Sequence, residues 1–511
     1  MSETTRAAEQ AYLKQVHRRL EENIKATQSR LKACQQDVEE QKRYLWESRD
    51  EMDHIEKVAS RQSIEQSVRS GEILLEKQRK LQKTQRAPYF GRFDFAAEGQ
   101  SVKPVYIGVH HFHDDLQNQT VIYDWRAPIA SLFYDYETGP AQYQSPEGTV
   151  VGEIQKKRQF RIKYDRIELL IDSTVHVVDD VLQQELGKAS GDEGMKQIVA
   201  TIQRDQNAII RDDDTRELII QGVAGSGKTS IALHRIAYLL YRHKDTLTAD
   251  DMLIISPNRV FSAYIANVLP ELGEENIREI SMEDVASELL EGQYRFETFF
   301  EQTNRLLEHD DPALKQRLQR KASLSFLKKL DEYAAVVEQR RFVAEDVWIA
   351  KRLIPAFLLE EIYRKHRALP GNERMKQLAR ETEQKVRIQY NYDFTPQDRA
   401  ALKTALNQMR CEQTLRETYK GFFDWLGEPE LFRPARNSRL EYADVFPMIY
   451  LKMKLDGIRS PFTAVKHLLI DEMQDYTPVH YAVLGRLFNC RKTILGDANQ
   501  SVNPYLSLIH I

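Results

Sequence analysis

"QGVAGSGKTS", residues 221–230, sits between the apolar run RELIIQGV and the helical pattern KTSIALHRIAYLLYRH. Gly222, Gly227, Lys228 and Thr229 fall at G-x-x-x-x-G-K-[ST] spacing, with Gly225 between them. In that pattern the backbone N–H groups from Gly222 through Val223, Ala224, Gly225, Ser226 and Gly227 curl around phosphate oxygens. Lys228 places a point charge on the outer phosphates, and the hydroxyl of Thr229, with Ser230 beside it, serves a magnesium ion. The helix that starts there adds the positive end of its dipole. A Gly-rich turn can match such a pattern by chance, but the required strand and helix flank this one. ATP and Mg²⁺ are therefore the expected cofactors. DMLIISP follows as the next strand, and strand, loop, helix, strand is the parallel α/β arrangement of a nucleotide-binding core.

Such a loop needs a second carboxylate to hold the metal and an acceptor to position the attacking water. HLLIDEMQD, residues 467–475, supplies both. An apolar strand ends in Asp471, expected to hold Mg²⁺ through water, and Glu472, the expected base for the hydrolytic water. With Lys228, Glu472 forms the core of the expected catalytic set.

Working outward, the 511-residue chain is 41% apolar and carries 73 Lys and Arg against 77 Asp and Glu, a formal charge of -4. That size allows several cores. No global basic field draws the chain to nucleic acid, so any such binding is local. Three scattered cysteines, Cys34, Cys411 and Cys490, make neither a zinc spacing nor a disulfide framework, which fits a reducing cytoplasm. No stretch approaches the length of apolar sequence needed to span a bilayer, and no signal peptide opens the chain, so a cytoplasmic, non-membrane protein is expected.

The fold class expected is multidomain α/β: a RecA-like P-loop NTPase core with a helical insertion, preceded by an antiparallel coiled-coil hairpin and a small β-rich domain. Residues 1–87 lack proline and recur with apolar seams, Leu13, Val16, Leu20, Ile24, Leu31 and Val38 on one helix and Ile55, Ile64, Val68, Leu75 and Leu81 on the next. Glu47, Asp50, Glu51 and Asp53 gather negative charge at the turn between them. Residues 88–190 are aromatic and β-branched, punctuated by Gly, Pro and Asn, and read as an antiparallel sheet. Residues 191–272 form the first part of the ATPase lobe, with RELIIQGV expected as a buried strand. Residues 273–460 form a mostly helical insertion, and 461–511 return to the lobe.

Four motifs in order carry a resemblance to superfamily 1 helicases of the UvrD/Rep type. Their second motif, DExQD, is matched by Asp471, Glu472, Gln474 and Asp475; their third, GDxxQSIY, resembles GDANQSVNPY with Gly496, Asp497 and Gln500 in register. The resemblance implies that Gln500 senses the γ-phosphate, that Gln206 in RDQNAII reads adenine, and that Asn258 in ISPNRVFSAYI contacts single-stranded nucleic acid. The long interval from Lys228 to Asp471 and the helical and β preamble are similar to the HelD group of helicase-IV-like proteins. In that group a hairpin and an insertion enter RNA polymerase and ATP-linked motion releases nucleic acid. DWRAPIASLFYD, with Trp125, Arg126 and Pro128, looks like that group's segment between arm and motor, though packed aromatics around a turn would read the same.

The expected function is thus an ATP-dependent motor that binds RNA polymerase and DNA and promotes release and recycling of stalled transcription complexes. The alternative is a UvrD/Rep-type DNA helicase in repair or recombination. Monomeric behaviour is expected. Because the sequence reaches YLSLIHI soon after the third motif, the second RecA lobe and its arginines have no counterpart, and this polypeptide is expected to hydrolyse ATP very slowly.

Overall fold

A computed structural model describes residues 3–48, 52–172, 202–223, 225–257, 268–308, 311–367, 369, 371–411, 413–457 and 460–498. The chain divides into two compact units: Met1–Asp214, Ser230–Ala249 and Ala263–Asn276 make the first, and Thr215–Thr229, Asp250–Ser262 and Ile277–Ile511 the second. Among the described residues no helix is long and apolar enough to cross a membrane.

The first unit opens with two long helices, α1 (Glu3–Glu47) and α2 (His54–Arg86), side by side and antiparallel. Asp53 caps α2: its carboxylate accepts from Glu56 N at 2.8 Å, and Glu56 returns the bond to Asp53 N at 3.1 Å. A reciprocal cap of this kind satisfies two of the N–H groups a helix start leaves without partners. Seven strands follow, β1 (Gly91–Ala97), β2 (Lys103–Gly108), β3 (Phe112–Asp114), β4 (Gln119–Asp124), β5 (Gly139–Ser145), β6 (Gly148–Lys163) and β7 (Arg166–Asp172). They form one sheet in the order β3-β4-β2-β1-β6-β5, with β7 also on β6. Its pairs are antiparallel except β2 with β4, which run parallel because β3 carries the chain across before β4 returns.

The first turns of α1 belong to the core of this sheet. Leu13, Val16, Leu20 and Ile24 bury against Tyr89, Tyr106, Phe112, Ile122 and Phe160. Glu9 is 1% exposed and accepts from Arg92 and Arg158, each at 2.6 Å, and from the Tyr106 hydroxyl at 3.1 Å. A charge this deep persists only when so many donors face it. Beyond Thr27 Arg30 and Lys77 still reach Asp115 after β3, and farther out the contacts described run between the two helices, along a seam that only partly matches the expected one. Ile55, Val68 and Leu75 on α2 face solvent. The inward face instead carries Ser60, Ile64, Ser67, Gly71 and Leu74. There Ser67 donates to Asp37 at 3.0 Å, its carbonyl accepts from the Cys34 thiol at 3.1 Å, and a Cβ on Gly71 would already touch that sulfur. Small residues let the two backbones approach, so the apolar count found Ile64 and Leu81 but missed the serines and glycine of the same face.

The second unit holds a five-stranded parallel sheet of β8 (Glu217–Gln221), β9 (Met252–Ile255), β10 (Arg278–Ile280), β13 (His467–Ile470) and β14 (Arg491–Gly496), ordered β10-β9-β13-β14-β8. β9 and β13 are buried at every position, as expected for central parallel strands. β8 departs from expectation: it is an edge strand pairing only with β14 among the described strands, and Ile219 is 61% exposed. Its apolar run was read as a two-sided burial, whereas one flank of the strand has no described neighbour.

Helices cover the sheet, and one core joins β9, β13 and β14 to helices Met282–Leu289, Leu324–Arg340, Leu415–Leu426, Tyr442–Asp456 and Pro478–Leu487. Inside it Glu441, fully buried, accepts from Arg317 at 2.8 Å and from Arg305 and Lys321 at 3.2 Å. A separate core lies between Phe342 and Met409. It packs the hairpin of β11 (Val347–Ile349) and β12 (Arg352–Ile354) with helices Ala356–Lys365, Gly371–Tyr390 and Pro396–Gln408.

Candidate nucleotide site

Parallel pairing sets the carboxyl ends of three strands level with one another. Gly496 lies opposite Gln221, and Ile494 opposite both Ile470 and Ile219. The Gly-rich loop, the acidic pair and Asp497 therefore leave the sheet along the same edge, where ligands of open α/β sheets bind. Gly222 N donates to the Gly496 carbonyl at 3.3 Å, which pins the start of the loop to the end of β14. Gly225 and Gly227 have φ of +79° and +81°. Only glycine adopts this conformation without strain, and it turns successive N–H groups into one concavity. Ser226 N closes a turn on the Val223 carbonyl at 3.1 Å.

Lys228 opens the helix Lys228–Arg242, and its ammonium bends back to donate to the carbonyls of Gly222 at 2.6 Å and Val223 at 2.9 Å. The charge is thus held over the loop, where phosphate oxygens would compete with these carbonyls for it. Thr229 follows on the first turn and is half-buried. Ser230 has a different engagement, its hydroxyl and carbonyl both lying within reach of His234 Nδ1 at 3.4 and 2.6 Å.

Asp471 follows β13 directly and is 5% exposed, with its N–H donating to the Ile255 carbonyl at 2.9 Å. Burial, and then the neighbouring Glu472 charge, push its carboxyl from 3.8 up to about 6, although the Lys228 ammonium pulls the other way. Lys228 and Asp471 are thus close enough to feel each other, and the acid still lacks enough positive charge to ionise at its ordinary pH. A divalent cation would supply it. Mg²⁺ keeps several waters and takes few protein ligands beside the phosphates, so a hydroxyl and one acid are enough to hold it. The residues present therefore fit Mg²⁺ with a nucleoside triphosphate: loop amides, one lysine, one hydroxyl and one buried acid.

Glu472 adopts φ +51°, ψ +49°, the left-handed region that non-glycine residues rarely enter. Its carboxylate accepts from Gln474 Nε2, and the Gln474 carbonyl oxygen accepts from Asp497 N at 2.9 Å. Gln474 therefore bridges the ends of β13 and β14 and fixes the Glu472 carboxylate. The bridge requires glycine at 496: a Cβ there would lie 2.3 Å from Met473 Cγ and 2.4 Å from Gln474 Oε1. Neither this requirement nor the strained φ of Glu472 was visible from spacing.

The other expected residues distribute differently. Gln206 stands third in the helix Arg204–Arg211 and accepts from Gln203 N at 3.1 Å, so its side chain caps its own helix. Asp53 is likewise engaged as a cap, and Glu47 ends α1. Ala224, Asn258, Gln500, Asp50 and Glu51 lie outside the described residues. The DWRAP segment does more than turn the chain. Trp125 is fully buried edge-on to His234, 5.6 Å between ring centres. Arg126 grips Asp124 at 2.8 Å and Glu274 on its other side. Arg211 then donates to the carbonyls of Trp125 at 2.6 Å and Arg126 at 3.1 Å. This bracket binds the sheet of the first unit to two helical segments of that unit, and its buried arginines were legible only as polar residues in an aromatic stretch.

No curated protein matches the chain. Two family profiles do: DNA helicase IV HelD, N-terminal domain, over residues 6–189, and UvrD/REP helicase N-terminal domain, over residues 202–505. The second covers more than half of the sequence and contains every element of the nucleotide site described above, so the chain belongs to the UvrD/REP helicase family as a HelD-like member.

Proposed function

We propose that the chain is the ATP-driven part of a HelD-like motor that binds RNA polymerase and nucleic acid and promotes release of stalled transcription complexes. The observation that carries the reading is the convergence of Lys228, Asp471 and the Glu472–Gln474–Asp497 chain on one sheet edge, within a chain that also matches the HelD N-terminal domain. In this reading the loop from Gly222 to Ser230 cradles the phosphates, Lys228 neutralises charge on the outer ones, and Thr229 and Asp471 hold Mg²⁺. The metal would polarise the γ-phosphoryl group. Glu472, oriented by Gln474, takes the proton of the attacking water, and Gln500 reports on the γ-phosphate. Gln206 at adenine and Asn258 on a single strand complete the set. Residues 1–87 would form the polymerase-directed arm with Glu47, Asp50, Glu51 and Asp53 near its apex, 88–190 the β-rich domain that roots it, 191–272 and 461–511 the ATPase lobe, and 273–460 the insertion.

The matched family description also reads DNA helicase IV, which supports the second reading, an enzyme acting on DNA alone. One experiment separates them. The whole chain is mixed with purified RNA polymerase from its host and with a fluorescent ATP analogue. Co-migration with polymerase, together with nucleotide binding that Lys228→Met weakens by about 10- to 100-fold, is the expected result. Nucleotide binding without co-migration would leave the DNA enzyme; loss of neither on mutation would remove the motor reading altogether.

A further inference from the structure

The lobe between Arg341 and Cys411 stands apart from the nucleotide site in three respects. Its chain enters and leaves through one narrow neck, where Cys411 N donates to the Arg341 carbonyl at 3.0 Å and Val343 N to the Met409 carbonyl at 3.0 Å. It has its own apolar core. Its charge also opposes that of the chain: residues 341–411 hold fourteen Lys and Arg against nine Asp and Glu, a net +5 within a protein of net -4.

At one end of the lobe, β11 and β12 form a hairpin joined by only Ala350 and Lys351, with φ of +47° and +65°. Two successive positive φ values mark the tight turn that usually takes Asn-Gly, so Ala and Lys hold it at a conformational cost. The result is a short, stiff hairpin. Trp348 pairs across it with Leu353, which puts both side chains on the same face. Trp348 is 66% exposed. Tyr390 donates its hydroxyl to the Leu353 carbonyl at 3.0 Å and is 42% exposed. Lys351 projects from the apex. Arg352 pairs with Ile349 and so lies on the opposite face of the hairpin, its guanidinium 3.7 Å from the Tyr392 ring centre and donating to the Ala350 carbonyl at 2.9 Å.

A single exposed tryptophan is ordinary on a protein surface; what selects a partner here is the lysine at the turn of the same hairpin and the net positive charge of the lobe. A polyanion with flat apolar faces matches both features: a phosphate for Lys351, a base for Trp348. We infer that the hairpin Val347–Ile354 is a stacking platform for single-stranded nucleic acid, with Trp348 taking one base and Lys351 an adjoining phosphate. The platform lies outside the residues to which any role is given above and requires no nucleoside triphosphate.

The test uses the whole chain, without ATP, and a fluorescein-labelled oligothymidylate followed by anisotropy at several salt concentrations. Trp348→Ala is expected to weaken binding by about tenfold, and Trp348→Phe to retain most of it. Lys351→Gln is expected to lower the slope of log affinity against log salt by about 0.7. In a background with Trp46 and Trp425 replaced by Phe, the oligonucleotide should quench Trp348 emission, Trp125 being fully buried. Equal affinity for wild type and Trp348→Ala overturns the inference. So does unquenched emission at saturation, failure of the chain to bind the oligonucleotide, or a Trp348→Ala effect seen only as loss of self-association. Nucleotide-analogue binding in the same samples reports on the motor site separately.

Discussion

Replacing Asp471 by Asn should make the protein more stable and less able to use magnesium, and the two effects should separate with pH. In the folded chain the Asp471 carboxyl is raised from 3.8 to about 6 by burial and by Glu472. Between those values the folded state keeps a proton that the unfolded chain releases. Stability therefore falls as pH rises through this window, and the loss persists above it. A difference of about two pH units corresponds to about 3 kcal/mol, and structural relaxation would reduce the realised cost to about 1–3 kcal/mol. Asn carries no charge to bury. Without nucleotide, Asp471→Asn should match wild type near pH 4 and exceed it at pH 8, with a rise in Tm of about 2–4 °C per kcal/mol. With Mg²⁺ and ATP the order should reverse, since wild type gains about 2.7 kcal/mol at a hundredfold excess over Kd and the variant gains little. Thermal unfolding followed by tryptophan emission from pH 4 to 8, with and without Mg²⁺ and ATP, reads both effects. A variant less stable than wild type at pH 8 without nucleotide, or a difference that does not change with pH, would refute the account of Asp471 as a buried acid awaiting a cation.

Two further outcomes follow from the packing. Gly496→Ala forces a Cβ within 2.4 Å of Met473 and Gln474, so urea unfolding should show a loss of about 1–3 kcal/mol, and nucleotide affinity should fall with it as the Gln474 bridge shifts. Glu441→Gln leaves two buried cations, Arg317 and Lys321, and the half-buried Arg305 facing a neutral amide and should cost about 3–5 kcal/mol at pH 7. Burial alone would raise the Glu441 carboxyl, but Lys321, Arg317 and Arg305 outweigh it and hold it below the ordinary 4.5. Its contribution is therefore complete above that value and is lost as pH falls through the lower, folded one. The variant should show a shallower acid limb in the same titration.

The nucleotide loop was legible because its chemistry is contiguous: glycines, lysine and threonine lie within eight residues, and the flanking strand and helix have their own periodicity. Asp471 and Glu472 were legible for the same reason, as the end of an apolar strand. What escaped was anything made by distant residues. Glu9 and Glu441 carry no local sign of burial, because nothing local shows that Arg92 and Arg158, or Arg305, Arg317 and Lys321, will converge on them. The α2 seam was found only in part, at Ile64 and Leu81, because a helix offers several apolar stripes and Ser60, Ser67 and Gly71 mark closeness rather than hydrophobicity. Gln206 matched a position, and the structure gives its side chain a capping bond that any glutamine three residues into a helix can make. β8 looked buried because an edge strand and a central one can share the same composition.

The unequal setting of α1 has a consequence for how that helix melts. Up to about Thr27 its amides are locked behind tyrosines and an enclosed carboxylate, so they can open only when the sheet opens; farther out, past the Arg30–Asp115 ion pair, a thin seam with a neighbouring helix resists fraying. One continuous helix is thus a fixture at its root and a loosely held filament toward its far end. Exchange of its backbone hydrogens should slow steadily on the way inward.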